Sequence, residues 1–172
     1  MEAIHNLDYH EDRWVDGNWS EQDLINFEDD IISHWENGEI RGPIHLSNGN
    51  EKQLIEIFKK IGVGDWVFST WRSHYHALLH GIEPSVLKQK ILDGKSITIV
   101  DKDCKFYSSA IVTGTLPIAL GVAKAIKLKG IDEKVWVFLG DMAFETGLFY
   151  EVHKYAHNYG LPLHFIVEDN GV

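Results

Sequence analysis

Asp141 and Asn170 stand 29 positions apart, each close behind a short apolar run. The runs are Val135 to Leu139 and His164 to Val167, bounded by turn residues, which is the pattern of strands buried on both faces. A carboxylate and an amide at the C-terminal ends of two neighbouring parallel strands would open into the crevice where open α/β sheets bind ligands. Both are hard oxygen donors. Together they suit a small divalent cation such as Mg²⁺, which completes its shell from the phosphates of a bound ligand. The residues alone leave plainer readings open: Asp141 as the cap of a following helix, and Asn170 as a turn residue before Gly171.

These two side chains must be positioned by the elements around them. Between them, Leu148, Val152, Tyr155, Ala156 and Tyr159 repeat at helical spacing. This predicts one helix within residues 144–159, capped by Gly160 and stopped by Pro162. A strand, a crossover helix and a second strand predict adjacent parallel pairing. Upstream, Ser20 and Asp23 predict a helix start, with Leu24, Phe27, Ile31 and Trp35 on one face and Gly38 at the end. Leu54, Ile57, Phe58 and Ile61 predict a second helix stopping at Gly62. A third runs from about Leu116 to Lys129, with Gly121 at a point of close packing and Gly130 at its end. Residues 1 to 15, polar with scattered aromatics, are expected to be poorly ordered without a partner.

The C-terminal part resembles the thiamine diphosphate signature, which opens on Gly-Asp-Gly and closes on Asn-Asn about thirty residues later. Here the two ends read Gly140-Asp141-Met142 and Asp169-Asn170. The wider likeness is to the alpha subunit of the dehydrogenase component of 2-oxo acid dehydrogenase complexes. Upstream blocks carry it in the family's order: Gly42 to Glu51, Trp71-Arg72-Ser73-His74 with Gly81, and Phe106-Tyr107 running into Ala110 to Pro117. The resemblance spans roughly residues 40 to 172. It implies an α/β fold of the thiamine diphosphate-binding, diphosphate-type class: a parallel sheet, incomplete in this chain, with N-terminal helices. Residues 1–40 would form a helical segment and 41–172 the N-terminal part of the cofactor-binding domain.

The resemblance also implies roles. Asp141 and Asn170 match metal ligands, and Val172 matches the position whose backbone carbonyl joins them. Gly140, Met142 and Ala143 fall beside the diphosphate, and Arg72 matches an arginine that binds it through its guanidinium fork. Trp71 stands where a tyrosine is usual. Ala110 and Val112 match positions whose backbone holds the aminopyrimidine ring. Met142 replaces the second glycine of the opening motif, setting a side chain where backbone normally approaches phosphate. Asp169 replaces the first asparagine, and Thr98 falls where a loop histidine is usual. His74 and His76, near Arg72, are the candidates to supply an imidazole instead, and His74 is taken as catalytic. Thiamine diphosphate and Mg²⁺ are the implied cofactors. A pyrimidine-binding beta subunit or domain is the implied partner, a 2-oxo acid the substrate and a lipoyl group the acceptor.

Composition narrows the classes. The 172 residues carry a formal net charge of −10, which argues against nucleic acid, whose phosphates need clustered Lys and Arg. No apolar run approaches membrane-spanning length, and no basic, apolar leader pattern is read in the first residues, so neither a membrane span nor secretion is expected. The single cysteine, Cys104, excludes an internal disulfide and suits a reducing cytoplasm. No Gly-x-Gly-x-x-Gly follows a strand, so a dinucleotide-binding domain is a poor reading. Set against relatives about twice as long, the chain is expected to be the N-terminal half of a cofactor-binding subunit. It is expected to associate with other chains, and to be inactive and weak in cofactor binding alone. The alternative is a non-catalytic homologue that keeps the fold.

Overall fold

Ser20 starts the first helix, α1 (Glu21–Glu36), through a reciprocal cap: its Oγ accepts from the Asp23 amide, and the Asp23 carboxylate accepts from the Ser20 amide. Leu24 and Ile31 are fully buried along α1, while Trp35, expected on the same stripe, is 52% exposed in the last turn. The structure is a computed structural model, and it describes residues 19–171. The expectations for residues 1 to 15 and for Val172 lie outside the described residues.

After α1 come α2 (Glu51–Phe58), β1 (Trp66–Ser69), α3 (His74–Leu79), α4 (Pro84–Leu92), β2 (Val100–Asp101) and β3 (Phe106–Ser108). Then follow α5 (Thr115–Lys129), β4 (Val135–Gly140), α6 (Asp141–Phe144), α7 (Gly147–Asn158) and β5 (Leu163–Glu168). The strands form one sheet in the order β2-β3-β1-β4-β5, parallel throughout except at the β2–β3 edge.

The expected βαβ unit is present. Val135 pairs with Leu163 and Gly140 with Glu168, so β4 and β5 are adjacent and parallel, with their C-terminal ends level. Thr146 caps α7 by accepting from the Phe149 amide. The helix closes at Gly160, φ +52°, where Leu161 N donates to Ala156 O and Gly160 N to His157 O. That pair of bonds is the glycine-terminated closure expected before Pro162.

β4 shows why a continuous apolar run makes a central strand. Trp136 and Phe138 face a core shared with α1 to α4, whereas Val135, Val137 and Leu139 face one built with α5 and α7. Alternate side chains thus fill two cores, one on each side of the sheet. The Gly121 expectation fails: a Cβ there would meet nothing within 4 Å, because this face of α5 is exposed and no element packs closely on it. Among the described residues no helix is long and apolar enough to cross a membrane.

Candidate functional site

Where β1, β4 and β5 end side by side, the chain encloses a cavity of about 820 Å³. β4 delivers Gly140, Asp141, Met142 and Ala143 to it, and β5 delivers Glu168, Asp169 and Asn170. Ser69, Thr70, Trp71 and Arg72 enter from the end of β1. The loop before α2 forms the opposite wall, and the turn before α5 supplies Ile111, Val112 and Thr113. Asp141 and Asn170 therefore face one cavity from neighbouring strand ends, as their spacing predicts.

Local chemistry exposes these groups. Gly140 is extended, and a Cβ there would meet nothing within 4 Å, so the backbone at this point is open to the cavity. Asp141 is the first residue of α6, and among the described residues its carboxylate takes part in no hydrogen bond or ion pair, so it is not spent as a cap. Asp169 makes the following turn itself, its Oδ1 accepting from the Gly171 amide at 2.8 Å, with Gly171 at φ +72°. Asn170 is thereby left exposed and unengaged. Arg72 is also exposed, and its guanidinium pairs with no carboxylate among the described residues, which removes the surface salt bridge as its explanation. Trp71 lies edge-on to His45, ring centroids 6.2 Å apart. Met142, 71% exposed, projects where the resembling proteins carry glycine.

Two expected residues lie elsewhere. Ala110 is exposed and outside the cavity lining, because the turn that brings in Ser109 and Ile111, closed by the Ile111 amide on Ser109 Oγ, carries it past the wall. His74 is fully buried behind the cavity wall. Its Nδ1 lies 3.0 Å from Glu28 Oε1 and its Nε2 2.9 Å from Ser96 Oγ. With both ring nitrogens engaged, it ties α1, α3 and the Ser96 loop together as a strut and stands outside the cavity lining. Thr98 is likewise outside the lining.

The strut belongs to a buried polar network. The Ser47 amide donates to Glu28, while Glu51 accepts from the Gly49 amide and the Tyr75 hydroxyl. Burial and the Glu28 and Glu51 carboxylates push the Tyr75 phenol far above its ordinary range, so it remains a donor. These bonds hold the loop of residues 47–50 as one wall of the cavity.

Sequence reasoning passed over Ser69, Asn50 and Glu168 as cavity residues, and Thr113; His76, which it did name, is buried behind the lining. Thr113 adopts φ +63°, a left-handed conformation costly for a β-branched residue, at the mouth of the cavity. Gly114 beside it is the one signal: a Cβ there would come within 3.0 Å of Ile111.

A family profile described as "Dehydrogenase E1 component" matches residues 20–172. The pyruvate dehydrogenase E1 component subunit alpha of Rickettsia typhi is 33% identical over 159 residues, covering 86% of this chain and 48% of that protein. The subunit alpha of acetoin:2,6-dichlorophenolindophenol oxidoreductase from Cupriavidus necator is 28% identical, covering 86% and 47%. Subunit alpha-3 of the chloroplastic pyruvate dehydrogenase E1 component from Arabidopsis thaliana is 28% identical, covering 87% and 39%. The chain spans about half the length of the first of these relatives, or less. With nine-tenths of its residues inside the matched profile and the parallel strand pair in place, the chain belongs to the dehydrogenase E1 component family.

Proposed function

We propose that the cavity is a half-site for thiamine diphosphate and Mg²⁺, and that the chain serves as part of the alpha subunit of a 2-oxo acid dehydrogenase. The observation that carries this is the convergence of the Asp141 carboxylate and the Asn170 amide on one cavity from adjacent parallel strand ends. The donor set fits the group. Two oxygen donors, an unpaired arginine and an open glycine backbone match a metal-bound diphosphate, and Mg²⁺ prefers oxygen ligands with phosphate completing its shell. When bound, thiamine diphosphate supplies the carbanion stabilisation needed to decarboxylate a 2-oxo acid. In that reading Asp141 and Asn170 hold the metal, with the Val172 carbonyl as third protein ligand. Arg72 neutralises diphosphate charge through its fixed fork of donors. Trp71 and Val112 border the bound group. The acyl group would pass to a lipoyl acceptor, and a pyrimidine-binding beta chain would complete the site, making the functional unit an oligomer, consistent with a cytoplasmic complex.

Calorimetry with thiamine diphosphate, with and without Mg²⁺, tests the reading. Binding should require the metal and disappear in Asp141→Ala; metal-independent binding, or binding indifferent to Asp141, would overturn it. One observation favours a second reading, a homologue that keeps the fold without the chemistry: the exposed Met142 at the cavity rim. That alternative predicts no metal-dependent binding in the wild type and none after Met142→Gly.

A further inference from the structure

Glu168 ends β5 two positions before Asn170 and lines the same cavity. Its Oε1 receives a hydrogen bond from Asn50 Nδ2 at 2.9 Å and lies 3.3 Å from His76 Nε2, out of line for a full hydrogen bond. The His76 ring is fully buried. It stacks on Phe138 of β4 at 4.2 Å between centroids and on Phe58 of α2 at 6.0 Å, and its Nδ1 lies 2.6 Å from Ser69 Oγ at the end of β1. One imidazole thus bridges the ends of β1 and β5 across β4, the strand that leads into Asp141.

Asn50 is placed at the N-cap of α2 yet makes no capping bond; its amide reaches a residue 118 positions away. Two of the buried polar atoms without a hydrogen-bond partner among the described residues, Asn50 Oδ1 and His76 Nε2, fall in this one cluster. Proteins seldom leave such atoms buried without a reason, because each forfeits hydration without a bond in return. A fold needing only a filled core here would be served by an aromatic ring between Phe58 and Phe138. The polar choice is explained if the ring aims a carboxylate.

We propose that His76, with Asn50, is a positioning residue: it holds the Glu168 carboxylate, and through it the turn of residues 169–170, so that Asn170 stays opposite Asp141. This rests on the reading of the cavity as a metal–diphosphate site. Both act through β5, by way of Glu168.

The test uses the full chain with His76→Phe, which keeps the stacked ring, and His76→Gln, which keeps one N–H for Glu168. With Mg²⁺ present, His76→Phe should weaken thiamine diphosphate binding at least tenfold, and His76→Gln should recover most of it, at similar melting temperatures for the two variants. Equal affinity in His76→Phe and the wild type, or equal losses in both variants, would overturn the proposal. Nitrogen-15 spectra of the ligand-free chain separate this from failure of the site itself. Glu168→Gln should move the His76 ring resonances, and His76→Phe should move the Asn170 amide. If both stay still, the positioning role is wrong whatever the ligand does. If they move while the wild type binds no Mg²⁺-dependent ligand, the cavity reading falls and the clamp stands.

Discussion

His74 and His76 lie two residues apart on one short helix and both are buried, yet they meet different surroundings. The His74 side is closed: both nitrogens meet protein partners, and Glu28 and Ser96 are buried with it. The other side opens on the cavity, where the side chains of Asp141, Asn170 and Arg72 have no partner among the described residues. Polar groups that satisfy one another bind nothing else, whereas those left facing a shared space are free for a ligand. Residue type does not separate the two; completeness of hydrogen bonding does.

The sharpest way to break that contrast is His74→Ala, which leaves Glu28 buried without its imidazole. Loss of one partner from such a pair costs about 3 kcal/mol, and the melting temperature should fall by about 6–12 °C. Ligand binding by the molecules that remain folded should weaken far less than in Asp141→Ala, because Glu51 still holds the loop of residues 47–50. A normal melting temperature with lost binding, followed by differential scanning fluorimetry and calorimetry, would return His74 to the cavity. Asp141→Ala should do the reverse. Mg²⁺-dependent affinity should drop at least tenfold, about 1.4 kcal/mol, while stability stays within about 0.5 kcal/mol, as for other substitutions outside the core. Denaturant unfolding and titration calorimetry together decide it.

Met142→Gly sharpens the contrast on the cavity side. Removing the exposed thioether should improve diphosphate affinity by about threefold, less than 1 kcal/mol. The glycine should cost about 1 kcal/mol of stability within α6. Unchanged affinity in titration calorimetry would show that the side chain swings clear. The smallest effect belongs to a third histidine, His164, stacked on Trp136 at 4.4 Å. Partial burial, then the nearby Lys134 charge, lower its pKa below the ordinary 6.5, with Asp65 opposing. The unfolded chain therefore binds a proton that the folded chain refuses. Stability should fall slightly as pH drops below about 6.5 and level off once the folded form also titrates. Urea midpoints at pH 7 and 5.5 should converge in His164→Gln; an identical pH response in the variant would assign the slope to other groups.

Much of the frame was legible because it rests on local signals. The Ser20–Asp23 cap, the apolar run of β4, the helical stripe of α7 and the glycine at its end are each contained within a few residues, and each appears where expected. β1 and β3, four and three residues long, are too short to show a period. The βαβ pair placed Asp141 and Asn170 together because parallel register levels the strand ends. The division of labour between His74 and His76 was not legible. It is set by Glu28, 46 positions from His74, and by Glu168, bound in turn to an asparagine 118 positions away. Gly121 misled because a small residue on a helix can mark close packing or merely an exposed face.

The strand order has a further consequence, for the timing of assembly. β1 is flanked by β3 on one side and β4 on the other, so a strand made early waits for two later ones. Until residues 135–140 emerge, Trp66, Val67 and Phe68 keep one unpaired edge, and the strand ends of β4 and β5 that deliver Asp141 and Asn170 do not exist. The cavity floor therefore closes only after most of the chain exists, through contacts distant in sequence, which makes folding slow and leaves an aggregation-prone edge in the interim. Chains halted before β4 should accumulate helices and an unfinished sheet, but no cavity.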